Sequence, residues 1–135
     1  MKTKIIKKRP PFWRILKIFF PEYDPDGTVS VAFGRTIYTN QEIPKDYIVH
    51  EEQHLKQHCH SYTIAVLWWI MYCLSKSFRY SQERDAFRTQ FKWIMENEPW
   101  TRARKIVELA KGLSSPLYGS MVDERQAQKE LLMYE

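Results

Sequence analysis

Thr28-Val-Ser-Val-Ala-Phe33 alternates apolar with small or polar residues at a period of two, the pattern of a half-buried strand. Gly34-Arg35 has the Gly-X form of a two-residue hairpin turn, and Thr36-Ile-Tyr-Thr39 reads as the return strand. From Pro44 the period changes. A first helix is predicted to about His58, with Asp46 as its N-cap. The apolar stretch Ser61 to Leu74 forms a second helix, and Ser75-Lys-Ser77 breaks it. A third runs from about Phe78 to Asn97. A fourth follows Pro99 and sets Trp100, Ala103, Val107 and Ala110 on one face at helical spacing. After a loop at Ser114 to Gly119, Ser120 with Asp123 reads as a capping box for a last helix ending near Met133. The implied fold class is α+β, mainly α: a short β-hairpin followed by about five helices.

The 135 residues suit one domain, and 44% apolar against 27% charged residues supports a packed core. Cys59 and Cys73 are too few for a disulfide scaffold or a four-cysteine zinc module, and both read as buried small hydrophobes. The net charge of +5 is unevenly placed. Residues 1–20 hold seven Lys/Arg and no acid, leaving 14 bases against 16 acids in the rest. The chain therefore divides into a basic arm, 1–20, and a domain, 21–135. Phe12, Trp13, Ile15 and Phe19 are expected to dock the arm on the core. Its charge would suit an anionic partner: nucleic acid, a membrane surface or another protein. Arg14 and Lys17 interrupt the only stretch resembling a signal sequence, and the 13 apolar residues Tyr62 to Leu74 fall short of the roughly 20 that a membrane span requires. No transmembrane span is expected. Residence in the cytoplasm of a bacterial host follows, with virion association as the other location weighed.

His50-Glu51-Glu52-Gln53-His54 is an H-E-x-x-H sequence inside the first predicted helix. Spacing i to i+4 sets both imidazoles on one face, one turn apart, where they can grip a single Zn²⁺ from one side. Glu51 points beside the metal, where it can take a proton from a metal-bound water.

A catalytic zinc takes a third protein ligand and keeps one position open. Three residues are candidates. His58 continues the ladder but lies about 12 Å along the axis from His50, too far to share one ion, and reads as a polar face residue. His60 completes the metzincin spacing H-E-x-x-H-x-x-G-x-x-H, with Gln57 where that pattern has Gly. Glu83 opens Glu83-Arg-Asp-Ala86 in the third helix. If the three helices are antiparallel neighbours, rises of about 6, 20 and 8 Å return Glu83 to the level of His50. Ala86 is small enough to let the helices approach closely.

His50-Glu51-x-x-His54 followed by Glu83-x-x-Ala86 resembles the gluzincin zinc metallopeptidases, most closely their minimal, mainly helical members from phages and mobile elements. The resemblance covers about residues 28–96. The Ser115-Pro-Leu-Tyr-Gly119 loop and final helix are similar to small phage peptidase-like proteins. It implies a minimal zincin-like fold in which His50, His54 and Glu83 bind Zn²⁺ and Glu51 is the general base of peptide-bond hydrolysis, acting on a peptide or protein substrate. Many gluzincins hold a zinc-bound His with an Asp shortly after the ligand Glu. Here Asp85 lies about 200° around the helix, facing away. Tyr80, His60 and Arg79 are candidate oxyanion donors. The strand Thr36 to Thr39 could align an extended substrate along a free edge. The rival reading is a non-catalytic zinc-bearing structural or virion morphogenesis protein.

Overall fold

The structure is a computed structural model describing residues 3–27 and 29–134. Lys2 of the basic arm and Thr28, the expected start of a strand, lie outside the described residues. The elements are β1 (Lys4–Ile6), α1 (Trp13–Phe19), β2 (Val31–Phe33), β3 (Thr36–Tyr38), α2 (Lys45–Gln57), α3 (Tyr62–Leu74), α4 (Lys76–Asn97), α5 (Arg102–Leu113) and α6 (Glu124–Leu131). The protein is thus mainly helical with a small three-stranded sheet. No helix among the described residues is long and apolar enough to cross a membrane.

The hairpin forms at the predicted turn. Phe33 pairs with Thr36 across Gly34-Arg35, and Gly34 takes φ 64°. The sheet order is β1-β3-β2, with β1 parallel to β3. β3 is therefore the central strand. The free edge expected along Thr36 to Thr39 does not exist, because β1 occupies it, and the outer strand on the hairpin side is β2. The basic segment thus contributes a strand, and it then packs α1 through Leu16 with Phe20 just beyond the helix. Phe12 and Trp13 are half-buried against the same cluster, whereas Ile15 and Phe19 are exposed. A helix buries one stripe only, and Leu16 with Phe20 occupies it.

Caps shift the expected helix boundaries. α2 starts at Lys45 after an extended Pro44, so Asp46 lies in its first turn and is not the N-cap. Ser61 caps α3, accepting from the Ile64 N–H. Ser75 ends α3 and caps α4, accepting from the Phe78 N–H, so α4 begins two residues before Phe78. Asp123, not Ser120, caps α6 and accepts from the Gln126 N–H at 2.7 Å. Ser120 has φ 50°, away from the extended backbone an N-cap adopts. α5 uses a different face from the one predicted. Pro99–Thr101 winds as a 3₁₀ turn, which puts Trp100 out of phase and 78% exposed; Val107 is also exposed, and Leu109, Ala110 and Leu113 are buried.

α4 is the central rod. Phe87, Phe91 and Ile94 pack against Leu109 and Leu113 of α5 and Leu131 of α6. A second cluster joins α1, β2 and α3 around Leu16, Phe20, Val31, Trp68 and Tyr72. Ala32, Ile37 and Leu55 seat the sheet on α2. Fully buried Ala86 lies on α4, which packs against α2. Along that interface Asp46 and His50 meet Gln90, and Gln57 meets Gln82, so the two helices run antiparallel, not parallel as the up-down-up succession expected from the sequence would set them.

Candidate metal centre

One face of α2 carries His50 and His54 a turn apart, both buried, with ring centroids 5.0 Å from each other. α4 brings Glu83 between them. Glu83 Oε2 lies 3.1 Å from His50 Nε2, and Oε1 lies 3.3 Å from His54 Nε2. One donor atom from each residue fits within 4.8 Å of the others. A tetrahedral zinc with bonds near 2.1 Å has ligand-to-ligand edges of about 3.4 Å, so the carboxylate stands close to fitting separations from both imidazoles.

The protons of the imidazoles are fixed from behind. Gln90 Nε2 donates to Asp46 Oδ2 at 2.8 Å, which turns its Oε1 toward His50 Nδ1 at 3.0 Å. Gln57 Nε2 donates to the Gln82 carbonyl at 3.0 Å, which turns its Oε1 toward His54 Nδ1 at 2.8 Å. Each amide oxygen can only accept, so each Nδ1 carries its proton. In the neutral rings, both Nε2 lone pairs then face the Glu83 carboxylate. Three acceptor groups converging in a buried space call for a cation. Burial works against the His54 imidazolium, but Glu83 outweighs it and pushes His54 up to about 9, so at neutral pH a proton serves as that cation on His54. Burial alone would raise the Glu83 carboxyl; His54 and His50 hold it well below the usual carboxylate range. The Tyr72 hydroxyl donates to Glu83 Oε1 at 2.7 Å.

Glu51 sits beside this tripod. It lines the cavity containing His50, His54 and Glu83, and also an outer cleft reaching Glu42, Tyr47 and Glu108. Burial pushes its carboxyl up, with His54 and His50 opposing. Val29, Ser30 and Tyr118 line both spaces as well. The strand edge at the site therefore belongs to the β2 side of the hairpin. Burial, then the charges of Glu83 and Glu51, raise the Tyr118 hydroxyl well above its ordinary range.

The other sequence candidates lie elsewhere. His58 is not a polar face residue; it is fully buried and accepts the Gly34 N–H on Nδ1 at 3.1 Å. Burial lowers it to about 3, keeping the ring neutral. His60 does not join the tripod. α2 continues to Gln57, and the chain reverses only at Cys59 and His60, whose φ values are 54° and 52°. That reversal comes two residues later than the metzincin glycine would place it. Cys59 is exposed, not buried, and Cys73 is half-buried. Arg79 is held by the carbonyls of Tyr72, Cys73 and Leu117. Tyr80 belongs to the α4–α5–α6 cluster, and the His60 carbonyl accepts from Arg35. None of the three suggested oxyanion donors lines the two spaces at Glu51, whereas the hydroxyl residues Tyr118 and Ser30 line both.

Sequence reasoning missed Gln57, Gln90, Asp46 and Tyr72. A signal was present for two of them. Gln90 lies seven residues after Glu83 and Gln57 three after His54, both on the ligand faces of their helices. No protein-family model, curated protein or solved structure matches this chain.

Proposed function

We propose that the protein is a zinc-dependent metallopeptidase of the gluzincin type. One observation carries the reading: two imidazoles with Nδ1 against amide oxygens turn their Nε2 atoms, together with a carboxylate, to one buried point, with Glu51 adjacent. His50, His54 and Glu83 would hold the metal, and zinc there would supply Lewis acidity, polarising a scissile carbonyl and making water easier to deprotonate. Glu51, its basicity raised by burial, takes the proton from the attacking water and passes it to the leaving amine. Tyr118 lines the same cleft as Glu51, and its hydroxyl donates to the oxygen on which charge develops. Main-chain groups at Val29 and Ser30, on the same wall, pair with an extended peptide.

The test is metal analysis of protein purified without chelator, together with Glu51→Gln. Bound zinc is expected in both forms, with peptide hydrolysis falling by about 10² to 10⁴ in the variant. Unchanged hydrolysis removes Glu51 from its role. Zinc retained without turnover of any peptide by the unaltered protein would support the non-catalytic zinc-bearing reading.

A further inference from the structure

α3 is apolar on both faces. Ala65, Trp68 and Tyr72 face the core, while Val66, Leu67, Ile70, Met71 and Leu74 form an exposed stripe at spacings of three and four. A surface helix of a water-bound domain carries polar residues there. The stripe continues onto α1. A groove between the two helices has Leu16 and Trp69 together with Ile15, Phe19, Ile70 and Leu74 in its lining; the polar groups among its lining side chains are the Cys73 thiol and the Trp69 indole N–H, which is already donated to the Ala32 carbonyl. At 100° per residue, α1 turns Ile15, Ile18 and Phe19 to one side of its solvent face and Arg14 and Lys17 to the other. Basic and apolar residues thus emerge together from one short helix. Lys7 and Arg9 are engaged with Glu42 and Asp26; Lys4, Lys8, Arg14 and Lys17 make no ion pair among the described residues.

We propose that the joint α1–α3 face docks the protein on an anionic lipid surface, with the apolar stripe entering the interfacial region and the basic residues meeting the headgroups. The groove offers almost nothing to hydrogen-bond, whereas protein interfaces carry about one hydrogen bond per 100–200 Å². A second copy brought face to face would set one basic strip against another, which opposes self-association. Nucleic acid would use the cations and leave the apolar stripe wet. Acyl chains beneath anionic headgroups match both parts. The inference is independent of the metal centre, whose ligands lie on α2 and α4.

The test uses the full chain and vesicles of phosphatidylcholine alone, or with about one part in four phosphatidylglycerol. Sedimentation with the anionic vesicles is expected, weakening as salt rises, with little sedimentation on the neutral ones. Ile70→Glu with Leu74→Glu, and separately Arg14→Glu with Lys17→Glu, are each expected to lower partitioning by about tenfold or more. All four positions are exposed, and circular dichroism and melting should match the unaltered protein. Brominated acyl chains provide a second readout: they should quench tryptophan fluorescence in the unaltered protein through Trp69 in the groove. Failure to bind anionic vesicles, equal binding by the variants, or absence of quenching overturns the proposal. So does a dimer in light scattering that Ile70→Glu dissociates without any vesicle binding.

Discussion

The amide oxygen of Gln90 lies 3.0 Å from Nδ1 of His50, and this contact decides which nitrogen of the ring faces Glu83 as a lone pair. The amide is itself oriented: Gln90 donates to Asp46, whose carboxylate also meets Lys105 Nζ at 3.0 Å. Replacing Gln90 by Leu keeps much of the volume and frees the tautomer. Zinc affinity is expected to fall about 10- to 100-fold, measured by competition with a chromophoric chelator. A lower melting temperature with unchanged affinity would make Gln90 a packing residue only.

Tyr118 reaches the cleft from the 3₁₀ turn Pro116–Tyr118, held in place by the following Gly119 at φ 88°. If its hydroxyl meets developing negative charge, the interaction exists in the transition state and not before it. Tyr118→Phe should then lower kcat by about 10² to 10³ while KM and zinc content stay put. A rise in KM with kcat unchanged would show that the ring only shapes the cleft.

His54 sets a pH dependence on the metal-free protein. Its folded pKa of about 9 lies above the ordinary 6.5 because Glu83 outweighs burial. The folded state therefore binds a proton that the unfolded chain has lost between these values, and the associated stability is complete below 6.5 and gone above 9. Chelator-treated protein should show a falling Tm across that window. Zinc-loaded protein should not, since metal takes the place of the proton, and loading near pH 7.5 should release protons into weak buffer. A flat Tm between pH 6.5 and 9 in the metal-free form would contradict the His54–Glu83 pairing.

What could be read from the chain follows from the range of the forces involved. The hairpin was legible because Gly34-Arg35 and the alternation around it are local signals, and the His50–His54 pair because one helix alone determines its spacing. Glu83 was reached through an up-down-up count that sets α4 parallel to α2; the helices run antiparallel instead, yet the carboxylate lies 3.1 Å from His50, because α4 packs directly along α2. β1 was not legible: Lys4-Ile-Ile6 has no alternation, and its partner β3 is some thirty residues away in a parallel pairing no turn announces. His58 was misplaced because a polar residue type points to the surface; its burial depends on the Gly34 N–H, which only the folded hairpin brings near. Gln57 and Gln90 were overlooked because glutamine on a helix is ordinarily a solvent residue. Here their surroundings make each amide a one-way acceptor for an imidazole.

The contact between Gly34 and His58 is the point where the hairpin is fastened to the motif helix. Gly34 has φ 64°, and a Cβ there would come within 2.5 Å of the Tyr62 ring. Gly34→Ala is expected to cost about 1–3 kcal/mol, from left-handed strain and from displacing Tyr62. His58→Ala acts from the other side. It leaves the Gly34 N–H unsatisfied and opens a cavity against Trp68, whose ring centroid is 4.5 Å from that of His58, so a loss of about 2–4 kcal/mol is expected. Because both changes loosen one joint, the double variant should lose less than the two single losses together, and urea denaturation of all four forms measures that difference. Strict additivity would mean that the Gly34–His58 contact does not couple the hairpin to α2.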